Sequence, residues 1–325
     1  MKAMVIKAQG GLDNLVYDDW PDPVPGPGDV VVKVRACGLN HLDIFVRRGM
    51  PGLPVSLPFI SCGDIAGEIA EVGAEVRHWA VGDRVVVNPV TREGMLGEEI
   101  PGGMAEYVRV PAENLLPIPD VVGFEAAAAL PVAYGTALRM LVTRGKVEPG
   151  EKVLILGASG GVGTAAVQIA RMLGAEVIAA AGADDKLQKL RELGADHLIN
   201  YKSQDFSKEA WRISGKRGVD VVINYTGCDT WVPSLKTLRR QGRVLTCGAT
   251  AGYDPKTDLR YIWVRELEII GCNGWTHDDI AVLLNYVATG RIKPVVSHVL
   301  PLSQGREAEW LLEQRAVFGK VMLVP

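Results

Sequence analysis

The stretch Val153-Leu154-Ile155-Leu156-Gly157-Ala158-Ser159-Gly160-Gly161-Val162-Gly163-Thr164 carries the strongest chemistry in the chain. A β-branched apolar run enters a glycine-rich turn, and helical composition follows. The turn's core, Ala158-x-Gly160-x-x-Gly163, is a variant of GxGxxG. Glycines at these positions let the backbone approach a pyrophosphate. The N–H groups and dipole at the helix start then favour its negative charge. The spacing alone is weak; its place between a strand and a helix is what the motif requires. The plain alternative is a tight turn with no ligand.

A pyrophosphate raises the question of the ribose beside it. Sites of this type that prefer NAD end their second strand in Asp or Glu, about 20 residues after the glycines, to hold the ribose 2′-hydroxyl. Here that strand ends Ile178-Ala179-Ala180-Ala181-Gly182, with no carboxylate at its tip. Asp184 and Asp185 come later, where they can equally cap the next helix. Lys186 follows them, and Tyr201 stands just after the third strand. A missing acid and a nearby lysine predict a 2′-phosphate, hence NADP(H) over NAD(H). The alternative for Lys186 is a solvated lysine on a helix face.

These residues need a parallel sheet to position them. Strands are predicted at Val153–Leu156, Val177–Ala180, His197–Asn200, Val219–Asn224, Arg243–Cys247 and Leu267–Ile270, with helical patterns in the first four gaps. Such alternation means parallel strands with right-handed crossovers. The fold class is therefore α/β, with a doubly wound six-stranded parallel sheet. Before it, Met4–Ile6, Val30–Val34, Ala66–Gly73, Arg84–Val87 and Ala105–Val110 read as short strands. Pro- and Gly-rich turns separate them, suggesting a small irregular β-barrel. Phe124 to Val142 is Ala- and Leu-rich and reads as helix. Thr276-His277-Asp278-Asp279 reads as a capping box opening another helix, which Gly290 stops. Lys293 to Leu302 returns to β character, Glu307–Gln314 reads as a helix and Gly319–Val324 as a last strand.

The composition narrows the class. Among 325 residues, 48% are hydrophobic and 22% charged, which argues against a disordered chain. A formal net charge of −3 makes nucleic acid a poor default partner. The N-terminus lacks the pattern of a signal peptide, and no apolar run reaches the roughly 18 residues of a membrane span. The five cysteines, Cys37, Cys62, Cys228, Cys247 and Cys272, form no CxxC pair. They read as buried or half-buried free thiols of a cytoplasmic protein.

Further landmarks point to a family. They are Gly38-Leu39-Asn40-His41-Leu42-Asp43, Asp64-Ile65-Ala66-Gly67-Glu68-Ile69, Val81-Gly82-Asp83-Arg84-Val85, Gly103-Met104-Ala105-Glu106-Tyr107-Val108 and Gly319-Lys320-Val321, beside the glycine-rich turn. Over essentially its whole length the chain resembles the medium-chain dehydrogenase/reductase superfamily. That superfamily holds the zinc-type alcohol dehydrogenases and their zinc-free quinone oxidoreductase relatives. The resemblance implies a GroES-like catalytic domain, residues 1–121 with 292–325, and a Rossmann NADP-binding domain, residues 122–291, with the active site in the cleft between them. It also implies a homodimer or homotetramer and a small-molecule substrate.

Departures from the zinc enzymes decide the branch. Asn40 stands at the first expected ligand position and Gly63 where a histidine would be. Leu130-Pro131-Val132-Ala133-Tyr134 offers no third ligand, and 88–103 lacks the cysteines of a structural zinc lobe. A catalytic zinc needs three protein ligands. Cys37, His41, Cys62 and Asp64 are the imaginable substitute set; ordinary packing is the plainer reading. The zinc-free relatives carry Asn-x-x-Asp-x-x-x-Arg-x-Gly, matched here by Asn40, Asp43, Arg47 and Gly49.

By resemblance, then, Asn40, Asp43, Arg47 and Tyr134 are the candidate catalytic residues. Arg47 pairs a carboxylate or positions the loop, or else Asp43 and Arg47 form only a structural ion pair. Ser159, Gly160, Gly161, Val162, Gly163, Ala181, Gly182, Lys186, Tyr201, Thr226, Gly248 and Cys272 are the candidate cofactor contacts. The expected activity is hydride transfer from NADPH to a quinone, enone or enoyl thioester without zinc. The Asn40 amide, the Tyr134 hydroxyl or backbone N–H groups would stabilise the enolate charge. The rival readings are an alcohol or aldehyde dehydrogenase and an NADPH-binding protein with little turnover.

Overall fold

The computed structural model describes residues 1–325 except Pro51, Leu53 and Pro54. Two compact units result, Met1–Ala133 with Thr276–Pro325, and Tyr134–Trp275. The divisions expected from the sequence fall at 121/122 and 291/292.

The β-branched runs of the first unit become β1 (Lys2–Ile6), β2 (Leu15–Asp19), β3 (Asp29–Gly38), β4 (Asp64–Val72), β5 (Arg84–Val87), β6 (Tyr107–Pro111) and β7 (Leu115–Pro117). β2 and β7 were not predicted; β2 pairs antiparallel with β1, Val5 opposite Val16, and β7 antiparallel with β5, Leu116 opposite Val86. Two helices join them, α1 (His41–Arg48) and α2 (Phe124–Ala128). α1 stands where the sequence suggests only a loop. Its eight residues put Asp43 and Arg47 one turn apart on a buried face.

The second unit holds β8 (Lys152–Leu156), β9 (Glu176–Ala181), β10 (His197–Asn200), β11 (Val219–Ile223), β12 (Leu238–Thr246) and β13 (Glu268–Gly271). They form one parallel sheet in the order β10-β9-β8-β11-β12-β13. Counted within the sheet this is the 3-2-1-4-5-6 order of dinucleotide-binding folds. Val153 to Leu156 and Val177 to Ala181 are buried without alternation, as strands covered on both faces must be. Its helices are α3 (Gly135–Leu138), α4 (Gly161–Met172), α5 (Asp184–Glu192), α6 (Phe206–Ile213), α7 (Trp231–Thr237) and α8 (Arg260–Arg265).

The single helix expected over Phe124–Val142 is broken up. α2 and α3 are separated by a π turn at Leu130–Tyr134, and another follows at Arg139–Arg144. Pro131 lacks the N–H that a regular turn would need there.

The chain then returns to the first unit with α9 (His277–Ala288), β14 (Val296–Pro301), α10 (Gly305–Glu313) and β15 (Lys320–Val324). Thr276 caps α9 as expected, its hydroxyl accepting from Asp279 N–H and its own N–H donating to the Asp279 carboxylate. The strand path is β14-β15-β3-β4-β5-β7, with β6 beside β3. β3 is thus flanked by β15 and β4, Gly38 lying opposite Met322 on one side and Asp64 on the other. All five cysteines are free; Cys228 is exposed, contrary to the expectation that each would be at least half-buried.

Candidate active site

In the second unit, β8 delivers the chain to Gly157, whose φ of +63° suits glycine. Its carbonyl accepts from Gly160 N–H at 3.0 Å and from the Tyr225 hydroxyl at 2.8 Å. Burial pushes the Tyr225 pKa up, which keeps that hydroxyl a donor. Gly160 caps α4, so the first-turn N–H groups at Gly161, Val162 and Gly163 are presented by the helix start. Gly163 has no room for a side chain: a Cβ would lie 2.6 Å from the Ala158 backbone. At Gly160 a Cβ would meet only the Gly157 carbonyl oxygen, at 3.6 Å. One glycine closes the turn onto its helix; the other leaves an open face beside the helix N-terminus. Ser159, Gly160, Gly161 and Val162 are half-buried.

Around this turn the other expected cofactor residues fall on the carboxyl ends of the parallel strands. This is where ligands bind in such sheets. Ala181 ends β9, and its carbonyl accepts Tyr201 N–H at 3.2 Å. The Tyr201 ring lies over Gly182, where a Cβ would come within 2.9 Å of it. Lys186 stands half-buried in the first turn of α5. The Asp184 carboxylate is engaged by the Asn200 amide at 2.7 Å. Thr226 follows β11, Gly248 follows β12 with no atom where its Cβ would be, and Cys272 follows β13 with its N–H on Thr246 O at 2.8 Å. Burial pushes the Cys272 thiol up.

Two residues here escaped the sequence reading. One is Tyr225. The other is Asn224, fully buried, whose Oδ1 accepts the N–H groups of Thr226 and Gly227 at 2.9 and 3.0 Å. Its Nδ2 donates to Ser234 and Thr230. An asparagine ending a strand before Tyr-Thr-Gly was the available sign. Tyr134, the expected hydroxyl donor, is fully buried in this unit, and its hydroxyl accepts from Gln168 Nε2 at 3.3 Å.

In the first unit the loop at Asn40 is pinned from two sides. Asn40 stands between opposite charges. Its Oδ1 accepts from Lys320 Nζ at 2.6 Å, while its Nδ2 donates to Asp64 Oδ2 at 2.8 Å and to Gly38 O at 3.2 Å. Lys320 and Asp64 form a buried ion pair at 2.7 Å, their side chains 1% and 0% exposed. Asp64 Oδ1 also accepts Val132 N–H at 2.7 Å. Asp43 accepts the Asn40 N–H at 2.7 Å, closing the start of α1. Burial raises its pKa to about 7, against the pull of that hydrogen bond; Glu309 pushes the same way as burial.

Arg47 does not pair with Asp43, so that alternative is corrected. Its guanidinium meets Glu309 at 2.5 Å and also Glu313, both on α10, and donates to Gly10 O. An Asp43–Arg47 pair was the local choice in sequence; the folded chain offers two carboxylates from a helix 262 or more residues away.

The residues at the expected zinc positions do not fit that ion. Asn40 is held by an ammonium, and a side chain at Gly63 would lie 2.8 Å from Leu96 O and 3.0 Å from Pro89 Cβ. In the substitute set, Asp64 is committed to Lys320 and His41 is exposed. The Cys62 thiol lies on Gly38 O at 3.3 Å and is pushed up by burial and by Cys37. Among the described residues, no group of three or more His, Cys, Asp or Glu side chains is placed to hold a metal. Nor is any helix among them long and apolar enough to cross a membrane.

Comparison with known proteins agrees with this architecture. Residues 26–120 match the family described as alcohol dehydrogenase GroES-like domain, and residues 161–289 match the one described as zinc-binding dehydrogenase. The chain is 32% identical to quinone oxidoreductase-like protein 2 of Bos taurus, over 95% of this chain and 88% of that protein. Among solved structures, an NAD-dependent alcohol dehydrogenase is 40% identical with a TM-score of 0.94, each chain covered in full. The 2-octenoyl-CoA carboxylase reductase CinF, solved with NADP and 2-octenoyl-CoA, is 28% identical with a TM-score of 0.88. It is matched over 96% of this chain and 82% of its own.

Proposed function

The chain belongs to the medium-chain dehydrogenase/reductase superfamily as an NAD(P)H-dependent oxidoreductase, and from that premise we propose that it is a zinc-free, NADPH-preferring reductase of quinones, enones or enoyl thioesters. The observation that carries this reading is the buried Lys320–Asp64 pair clasping Asn40, the residue at the first zinc-ligand position. With no metal, the alkoxide of a simple alcohol is poorly stabilised. A conjugated acceptor instead moves negative charge onto a carbonyl oxygen, which hydrogen-bond donors can hold.

When bound, a reduced nicotinamide supplies the hydride. The chain's own residues supply the rest. The open face at Gly160 and the N–H groups starting α4 hold the pyrophosphate. Lys186 and Tyr201, beside the acid-free tip at Gly182, receive a 2′-phosphate. Asn40 donates to the acceptor's oxygen by exchanging its longer bond, the one to Gly38 O at 3.2 Å. Asn224 fixes the turn that carries Thr226.

A homodimer through the sheet edge fits the same reading. Edge strand β13 leaves Ile269 41% exposed, and the preceding helix α8 leaves Trp263 68% and Val264 54% exposed. A second reading, NAD-linked alcohol or aldehyde oxidation, is favoured by the name of the 40% identical structure.

The test is a turnover panel with NADPH and NADH against quinones, enones, enoyl-CoA esters and aldehydes, with ethanol and NAD as the reverse arm. The proposal expects NADPH and conjugated acceptors to lead. Turnover confined to alcohols and NAD would replace it with the second reading.

A further inference from the structure

We propose that Lys320 is a positioning residue of this site: its ammonium passes over strand β3 to join Asp64 and fixes the orientation of the Asn40 amide from which that amide meets the acceptor. The inference rests on the reductase reading above. Lys320 opens β15 and Asp64 opens β4, the two strands that flank β3 at its Gly38 end. The lysine stem crosses β3 at Gly38, where a Cβ would stand 3.2 Å from Lys320 Cε and 3.0 Å from Ala128 O. A glycine there leaves the lysine stem uncrowded. Past it, Nζ donates to Leu39 O at 2.8 Å, to Asn40 Oδ1 at 2.6 Å and to Asp64 Oδ2 at 2.7 Å. These bonds use all of its donors.

The chemistry of the two charged groups then dictates the amide. An ammonium only donates and a carboxylate only accepts. The Asn40 oxygen must therefore face Lys320 and its NH2 must face Asp64. The flipped amide would oppose donor to donor and acceptor to acceptor. Stability alone does not ask for this arrangement, because well-packed apolar residues commonly replace a buried ion pair without loss. What apolar residues cannot do is hold an amide in one sense. The Asn40 N–H is fixed separately by Asp43, so Lys320 governs the side chain and Asp43 the loop.

The experiment uses Lys320→Met, together with Lys320→Met/Asp64→Asn, which removes the unpaired charge should the single variant fail to fold. In the cofactor-free protein, the isotope-labelled Asn40 side-chain amide resonances, identified by their loss in Asn40→Ala, should shift or broaden in both variants. NADPH affinity should stay within about twofold of the parent, while kcat for the best acceptor falls about tenfold or more. Adding Asn40→Ala to Lys320→Met should then cost less than about threefold further, since the two residues act as one unit. Unchanged Asn40 amide resonances in a folded variant overturn the inference, as does a kcat within about threefold of the parent. If the parent reduces no acceptor, the reductase reading falls and the catalytic half of the inference with it. The resonances still decide whether Lys320 holds Asn40.

Discussion

In the proposed phosphate cradle the chemistry falls to main chain within the seven residues from Gly157 to Gly163. At the Asn40 junction it is carried by side chains that lie 24, 256 and 280 residues apart in sequence. The cradle works by leaving atoms out, and a Cβ at Gly163 would strike the Ala158 backbone at 2.6 Å. The junction works by filling a buried space with charges that must balance. One region should therefore be intolerant of volume, and the other of any unbalanced change in charge.

The largest expected effect is on the cradle side. Gly163→Val should abolish NADPH binding in equilibrium dialysis, because the helix cannot then close on its turn. A folded Gly163→Val protein with parental affinity would place the cradle elsewhere. At the junction, Asp64→Leu leaves a buried ammonium without its partner. Denaturant unfolding should show a loss of about 3–5 kcal/mol, as for other broken buried pairs. A change below about 1 kcal/mol would mean the pair is solvated in the working protein.

Asp43 sharpens the comparison through pH. Its folded pKa, about 7, lies above the ordinary 3.8, so the folded state holds the extra proton. Its contribution is fully present below the ordinary value, declines as pH rises through the window from 3.8 to about 7, and is lost above it. Each tenfold gain in proton affinity on folding is worth about 1.4 kcal/mol, so the whole window amounts to a few kcal/mol. Asp43→Asn, which can still accept the Asn40 N–H, should flatten that slope in unfolding measured across the window. A parental slope in the variant would assign the titration to another group.

The smallest effect expected is at the ribose. Lys186→Ala should weaken NADPH binding by about 1.5–3 kcal/mol, the range for hydrogen bonds to charged groups, and leave NADH nearly unchanged. Equal losses for both cofactors would remove Lys186 from 2′-phosphate recognition.

The contrast also explains what could be read in the sequence. The six strands of the parallel sheet and the turn at Gly160 and Gly163 were legible, because periodicity and glycine spacing are local properties. The short strand β2 escaped because its sequence, LVYDD, is stabilised as strand by pairing with β1. α1 escaped because eight residues give little periodicity, and its opening was read through Asn40 as a ligand position. Asn40, Asp43 and Arg47 were found by motif, but their partners were not. Glu309, Glu313 and Lys320 come from the far end of the chain, and no local pattern ties them to Asn40 or Arg47. Pro131 signalled the break in the helix, and the Ala-rich composition masked it.

The central claim is that an ion pair and an amide, in place of a metal, serve the acceptor side of the site. The most direct measurement is the rate of NADPH oxidation by the best conjugated acceptor before and after exhaustive chelation, with elemental analysis of the same samples. The account predicts an undiminished rate from protein carrying far less than one zinc per chain. About one zinc per chain, removed together with the activity and restoring it on return, would contradict it.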